Sequence, residues 1–411
     1  MTAAPSSPDV DVVCLGESMV TFVPRRPGRL ADVPTFDRGI GGAESNVACS
    51  LARAGHPARW VSRVGADGFG DHLVAAIAAT GVDTSAVQYD ALRPTGIYFR
   101  TAGERAVAAA APAGGSEVVY YRAGSAAAAM APGAFDRATL WSGRVLHLSG
   151  ITAALSADCL ALMRELTAPA AGRPLLSFDV NYRVGLWRAR AGADQVGPEV
   201  LADLARGCDL VFVGEDEAEA AWGLGGPTAI RAALPEPAVL VVKHGADGVT
   251  VFAREGDTPA PATTPAPRSD PDAMGEALAA GGPDPAGGAG AAPAPGARGL
   301  AGDTVTYAPA LRVDVVAPVG AGDAFAAGFL SATLRGLPVF ARVRHGHLMA
   351  AAALTVPGDL GSPPSRARAD RLAALDADAW GALRLSAGWA GDTTGPEVPT
   401  VGGTNAEVPN R

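Results

Sequence analysis

The sequence predicts an α/β fold: a largely parallel central sheet with helices on both faces, and a small second sheet lying over one end of it. Three observations predict this. Aliphatic and β-branched runs alternate with helix-period segments along most of the chain, the pattern of strand–helix–strand units. Runs such as Leu210-Val211-Phe212-Val213 are apolar throughout, as in strands buried on both sides. Residues 18–38 and 95–122 instead carry no helix and alternate polar with apolar positions, as in Gly96-Ile97-Tyr98-Phe99-Arg100. Set near the carboxyl ends of the parallel strands, such a sheet would form a lid over a ligand crevice.

In chain order, strands are expected at 10–16, 58–64, 144–148, 174–180, 209–213, 239–243 and 249–253, each a short, mostly aliphatic run. Helical period is expected over 44–54, which stops at Gly55, and over 71–80, 156–166, 215–222, 323–334 and 343–354. A further β-branched run, Val313-Asp314-Val315-Val316, arrives as a strand and is broken by Pro318. Residues 256–302 are almost entirely Pro, Ala, Gly, Asp and Thr without period, and the ends, 1–9 and 391–411, read the same way. Such segments cannot bury a core and are expected to be disordered. One domain, 10–365, holds the rest.

Of 411 residues, 48% are hydrophobic, enough for a sizeable core, yet no apolar run approaches the ~20 residues of a membrane span. Met1–Asp9 lacks the basic-then-apolar pattern of a secretion signal. Lys plus Arg is 33 against 42 Asp plus Glu, a net charge of −9 with no basic run, so neither nucleic acid nor an anionic membrane is an expected partner. Cys14, Cys49, Cys159 and Cys208 lie in apolar patterns without a C-x-x-C pair, and read as reduced core residues of a cytoplasmic protein.

Chemistry concentrates in two glycine clusters. In Val319-Gly320-Ala321-Gly322-Asp323-Ala324-Phe325, two glycines and a small alanine turn the chain into an apolar-periodic helix. Free backbone N–H groups at that helix N-terminus, with the positive end of the dipole behind them, bind anions and phosphate above all. Asp323 in the first turn repels a phosphate but suits a general base that takes a proton from an attacking hydroxyl. An ordinary helix start with a dipole-favouring acid is the other reading of these four residues. The second cluster, Gly39-Ile40-Gly41-Gly42-Ala43-Glu44-Ser45-Asn46, also precedes a helix. It is either a plain cap or a place where a small polar ligand meets the backbone and the amide of Asn46.

With both clusters in order, the chain resembles the PfkB (ribokinase-like) carbohydrate kinases. Gly41-Gly42-Ala43-Glu44-Ser45-Asn46-Val47-Ala48 is similar to that family's N-terminal signature, and Val316 to Phe325 to its C-terminal one. The likeness runs from Val10 to about Pro363, the Pro/Ala-rich insertion excepted. Within the family, Tyr120 to Ala126, His147 to Thr152 and Asp179 to Trp187 resemble 2-keto-3-deoxygluconate kinases. The resemblance implies a ribokinase-like fold and ATP- and Mg²⁺-dependent phosphorylation of a sugar acid at its terminal hydroxyl, often by a homodimer formed through the lid.

It also carries roles over to individual positions. Gly42, Asn46, Tyr98, Tyr120, Arg122, Arg183 and Asp359 match substrate-site positions. Gly320, Ala321 and Gly322 match the oxyanion-binding turn and Asp323 the base. On the nucleotide side stand Lys243, Gly245 and Gly248 of the turn after a buried strand, Glu217 of the N-x-x-E motif near Mg²⁺, and His347. Independently of the family, an arginine's planar fork matches a carboxylate or phosphate at two points, so Arg122 and Arg183 point to a negatively charged ligand. Read alone, Tyr98 and Tyr120 also fit lid packing, Arg183 a structural pair with Asp179, and His347 a packed core histidine. Two positions depart from the family pattern. Gly214 stands where N-x-x-E has Asn, so no metal ligand is assigned. Ala317 replaces the aspartate that helps hold a monovalent cation, which counts against potassium activation. Kinases of fructose, ribose or a keto-deoxy galactonate are the nearest alternatives, and a sugar-binding homologue that has lost catalysis the more distant one.

Overall fold

The structure, a computed structural model, describes residues 10–26, 28–101, 118–194, 196–254 and 299–391. The expected tails, most of the 256–302 insertion, and 102–117 of the expected lid lie outside the described residues.

An eight-stranded sheet forms the centre. From one edge its strands are Asp303–Pro309, Gly248–Arg254, Val239–Lys243, Leu210–Gly214, Leu175–Asp179, Val145–Ser149, Val12–Leu15 and Ala58–Val61. Neighbours from Ala58–Val61 through Val239–Lys243 are parallel, and the two outer strands add antiparallel. Period-2 side-chain alternation divides each inner strand between two cores. Val211 and Val213 face the core under helices Ala157–Thr167 and Glu199–Arg206, while Leu210 and Phe212 face the core around Ala321–Leu334. Phe212 meets Phe329 edge-on at 5.5 Å. Burial on this scale stabilises by about 1.5–3 kcal/mol per large side chain, which is why Leu210–Gly214 and Val239–Lys243 are almost wholly apolar, while the buried His147 and Ser177 of neighbouring strands pair with each other at 2.9 Å.

A separate four-stranded sheet runs Phe36–Gly41, Met19–Pro24, Ile97–Arg100, Val118–Tyr121. Its alternation puts Phe22, Phe99 and Tyr121 in one aromatic stack, with Phe22 and Phe99 rings 4.8 Å apart. Tyr98 and Tyr120 pair 5.3 Å apart one position away along their strands, on the other face. The thiols of all four cysteines are buried and free, and burial pushes each above the usual thiol range.

Three expectations need correction. The strand expected at 313–316 shrinks to Arg312–Val313, paired with Arg384–Leu385 rather than with the main sheet. Val315 and Val316 are 56% and 52% exposed, so their β-branching reports no buried strand. The domain does not end at 365: Trp380, Leu385 and Trp389 form a third small core with Leu348 and Ala369. The strand Asp303–Pro309 went unforeseen beside the insertion. Its Asp303 grips the buried Arg231 at both oxygens, 2.8 Å each, so residues 299–303 belong to the fold.

Arg254 pairs directly with Asp303, so the two chain ends that flank the segment lie side by side on neighbouring antiparallel strands. Replacing 256–298 by a short turn is therefore expected to preserve melting temperature and turnover, since the change in closure entropy is only about 2 kcal/mol and favours the shorter loop. Circular dichroism melts and a turnover assay check this; an insoluble or inactive deletion would give the segment a structural part.

Candidate active site

The parallel strands all end at one side, and the residues just past their carboxyl ends converge there with both glycine clusters. They line a cleft of about 2360 Å³. Every position given a site role from the sequence borders it: Gly42, Asn46, Tyr98, Tyr120, Arg122, Arg183 and Asp359; Lys243, Gly245, Gly248, Glu217 and His347; and Gly320 to Asp323.

The floor is the start of helix Ala321–Leu334. Its cap, Gly320, has φ +72°, and a Cβ there would stand 2.2 Å from the main-chain oxygen of Asp359, so only glycine fits. The first N–H groups of the helix have no intrahelical partner and open on the cleft. Gly42, across the cleft, is equally confined, with a would-be Cβ 2.3 Å from Glu17 O. Helix Ala43–Arg53 rises from it and aims Asn46 at Asp323: the amide Nδ2 donates to Oδ2 at 2.8 Å. Asn46 Oδ1 is buried without a partner among the described residues. Desolvation pushes the Asp323 carboxyl up to about 7, against the pull of the Asn46 hydrogen bond, with Asp179 adding to the rise and Arg183 and Lys243 opposing it. A carboxyl so placed can hold or release a proton near neutral pH.

Two cations flank this floor. Lys243 Nζ lies 3.1 and 3.2 Å from the two oxygens of Asp179, and a Cβ built on Gly322 would be 3.7 Å from it. Burial alone would lower the Lys243 pKa, but Asp179, Glu217 and Asp323 together hold it above the usual lysine value. Arg183 pairs with Glu217 Oε1 at 3.3 Å, not with Asp179, because Lys243 already occupies that carboxylate. Glu217 Oε2 accepts from the backbone N–H of Gly214 at 2.9 Å, capping helix Glu215–Trp222. Arg122 enters from the small sheet and is held by the buried Glu17, whose other oxygen accepts from Ser125 Oγ at 2.6 Å. Arg122 Nε is buried with no partner among the described residues. Its guanidinium lies 5.8 Å from the Tyr120 ring centre. His347 borders the cleft, yet its ring packs edge-on against Phe325 at 5.3 Å and near Trp380, and burial lowers its pKa to about 4, so it is a neutral core ring with one edge on the cleft.

Sequence reading missed Glu17, the pairing of Asp179 with Lys243, and Asn181. Asp179 and Lys243 are the last residues of buried strands, and Glu17 and Asn181 stand two residues past such strands, where a polar residue ending an apolar run is the available signal. Asn181 has φ +43°, is buried, and leaves Oδ1 without a partner among the described residues. Non-glycine backbone in that region concentrates at functional sites.

A helix start with a buried carboxyl and two cations beside it suits phosphoryl transfer, which needs positioning and charge stabilisation more than covalent chemistry. Comparison with known proteins gives the same class. Residues 9–270 and 291–366 match the pfkB family of carbohydrate kinases. The chain is 31% identical over 366 residues to 2-dehydro-3-deoxygluconokinase of Bacillus subtilis, covering 87% of this chain and 93% of the relative. The crystal structure of a PfkB protein from Polaromonas superposes with a TM-score of 0.64 at 30% identity, covering 88% of this chain and 99% of that one. A fructokinase from Xylella fastidiosa with bound ATP shares the fold at 20% identity, with a TM-score of 0.64 over 88% of this chain and 97% of that one. The chain belongs to the pfkB family of carbohydrate kinases. It is a phosphotransferase with a sugar hydroxyl as acceptor.

Proposed function

We propose that the protein phosphorylates the terminal hydroxyl of 2-keto-3-deoxygluconate with ATP as donor. The observation that carries this reading is the division of charge in the cleft. Arg183 and Lys243 act on Asp323 at the glycine turn, while Arg122, from the small sheet, keeps a buried Nε that has no partner among the described residues. Buried donors are rarely left unsatisfied, and a sugar acid brings a carboxylate at the end opposite its reacting hydroxyl.

In this reading Asp323 takes the proton of the terminal hydroxyl as that oxygen attacks the γ-phosphorus and the bond to the departing diphosphate breaks. The N–H groups of Gly320, Ala321 and Gly322 stabilise charge on the transferring group, with Lys243 and Arg183 beside them. Gly245, at φ +61°, and Gly248 let the backbone pass close to the nucleotide, and His347 offers its ring edge to the base. Tyr98, Tyr120, Gly42, Asn46 and Asp359 hold the sugar's hydroxyls, and the small sheet keeps water out.

The carboxylates fit Mg²⁺ as an ion carried by the nucleotide. The described residues hold no cluster of three or more His, Cys, Asp or Glu that could cage a metal. Asp179 and Glu217 are taken by Lys243, Arg183 and Gly214 N–H, so they would meet the ion through its retained waters. The ion neutralises phosphate charge when bound. Ala317 offers no carboxylate, so potassium is expected to stimulate weakly or not at all relative to a choline salt, and Ala317→Asp to raise the response. Strong activation of the wild type would mean that backbone carbonyls suffice.

Val119, Tyr120 and Tyr121, at 40%, 45% and 61% exposed on an edge strand of the small sheet, support a homodimer through that sheet. No helix among the described residues is long and apolar enough to cross a membrane. Use of ATP and four free buried thiols fit the cytoplasm.

A second reading has its own support. Glu17 already neutralises Arg122, which favours an uncharged acceptor such as fructose or ribose. ATP-dependent release of ADP with 2-keto-3-deoxygluconate, with the new phosphate located on the terminal carbon by NMR, tests the proposal; release only with a neutral sugar would replace it.

A further inference from the structure

The small sheet is tied to the glycine turn through Asp359. The main-chain oxygen of this residue lies against Gly320, as the would-be Cβ distance of 2.2 Å shows. Its carboxylate is held from the small sheet instead. Oδ2 accepts from the Tyr98 hydroxyl at 3.1 Å and Oδ1 from the Arg100 guanidinium at 2.9 Å. Both donors belong to strand Ile97–Arg100 and, two residues apart, share one face of it. The side chains of Arg100 and Asp359 are only 12% and 9% exposed. Tyr98 and Asp359 border the cleft, and Arg100 meets the carboxylate beyond them.

A buried ion pair adds little net stability over an apolar pair of the same shape, because desolvation offsets its attraction. What such a pair does supply is a fixed orientation, here of a carboxylate that touches the anion cradle with its backbone and the cleft with its side chain. We propose that Arg100 is a positioning residue, which locks the Asp359 carboxylate in the orientation that accepts a substrate hydroxyl and keeps the small sheet in register over the glycine turn. This rests on the reading of Asp359 as a substrate ligand.

Among the described residues, the charged and titratable groups facing Asp359 come from the small sheet and from the helix at the glycine turn. Arg100 and Tyr98 come from the small sheet, with Tyr120 stacked behind Tyr98. Asp323 lies on the helix that begins at Gly320. Burial pushes the Asp359 carboxyl up, and Arg100 and Tyr98 draw it back. Without Arg100 the carboxyl would keep its proton to higher pH and lose its strength as an acceptor.

The test is steady-state kinetics on Arg100→Met, Arg100→Lys, Asp359→Asn and the Arg100→Met/Asp359→Asn double variant. All are measured as ratios to wild type across about pH 6–9, so that titration of Asp323 cancels. Arg100→Met is expected to raise KM for the sugar about 10–100-fold, the worth of a hydrogen bond to a charged group. KM for ATP and kcat should move less than about threefold, because ground state and transition state lose the same contact. The KM penalty should shrink as pH rises, Arg100→Lys should recover most of it, and the double variant should be no worse than Asp359→Asn. A lower melting temperature with unchanged sugar KM at every pH, or penalties that add in the double variant, would overturn the proposal. So would an Asp359→Asn enzyme with unchanged KM. If the wild type accepts only a neutral sugar, the proposed substrate fails, and the same series run with that sugar still decides the role of Arg100. Should Arg100→Met not fold, Arg100→Gln and Arg100→Lys carry the comparison.

Discussion

Asp323→Asn is expected to lower kcat by about 10²–10⁴-fold while leaving sugar and nucleotide affinity largely intact. The amide keeps the shape of the side chain and can still meet Asn46, but it cannot take a proton. The environment of Asp323 makes a second, independent expectation. With its carboxyl raised from 3.8 to about 7, chiefly by desolvation, the wild type should lose kcat/KM in proportion to proton concentration below about pH 7. The variant's small residual rate should lack that limb. Stability separates this from unfolding. Between 3.8 and about 7 the native protein keeps a proton that the unfolded chain releases, so a rise in pH through that window lowers stability. Asparagine removes that penalty, and the variant should melt no lower than wild type at neutral pH. A variant that retains more than about a tenth of wild-type turnover would remove Asp323 from the role.

The second large effect concerns charge on the substrate. Arg122→Ala should cost an acid substrate on the order of 2–4 kcal/mol in kcat/KM, and a neutral analogue lacking the carboxylate much less. Arg183→Ala should hurt both alike and act on kcat, because Arg183 stands with Glu217 beside the glycine turn. The simple Arg122 truncation also strands Glu17, a carboxylate only 1% exposed, and that burial penalty would fall on every substrate. An Arg122→Met/Glu17→Gln double variant removes the pair together and isolates the lost contact. Equal losses for acid and neutral substrates in the double variant and in Arg183→Ala would leave the sugar-acid reading without support from these residues.

Much of the fold was legible because burial on both faces of a sheet writes itself into continuous apolar runs; Val239–Lys243 has the bounds the sequence indicates. The glycine turn was legible because Gly320 and Gly42 sit where any Cβ would strike backbone. Helices Val184–Asp194 and Pro227–Ala233 were not, the first mixing arginines and alanines without a continuous apolar face and the second being only seven residues long; the apolar face of Glu199–Arg206, Val200, Leu201, Leu204 and Ala205, was readable and missed, and strand Asp303–Pro309 is an edge strand with a half-polar composition. At the site, residue types pointed to the cleft, but partners did not. Arg100 meets Asp359 across 259 residues and Arg122 meets Glu17 across the small sheet, and no local pattern encodes such pairings. Val315 and Val316 misled in the opposite sense: a strand-forming composition without a sheet to join.

A cleft built for an acid should separate sugars by their charge. The most direct measurement is kcat/KM with ATP for 2-keto-3-deoxygluconate beside fructose and ribose, under one set of conditions. A charge-assisted contact of about 2 kcal/mol or more predicts a preference for the acid of at least ~30-fold. Equal constants, or a preference for fructose or ribose, would contradict it.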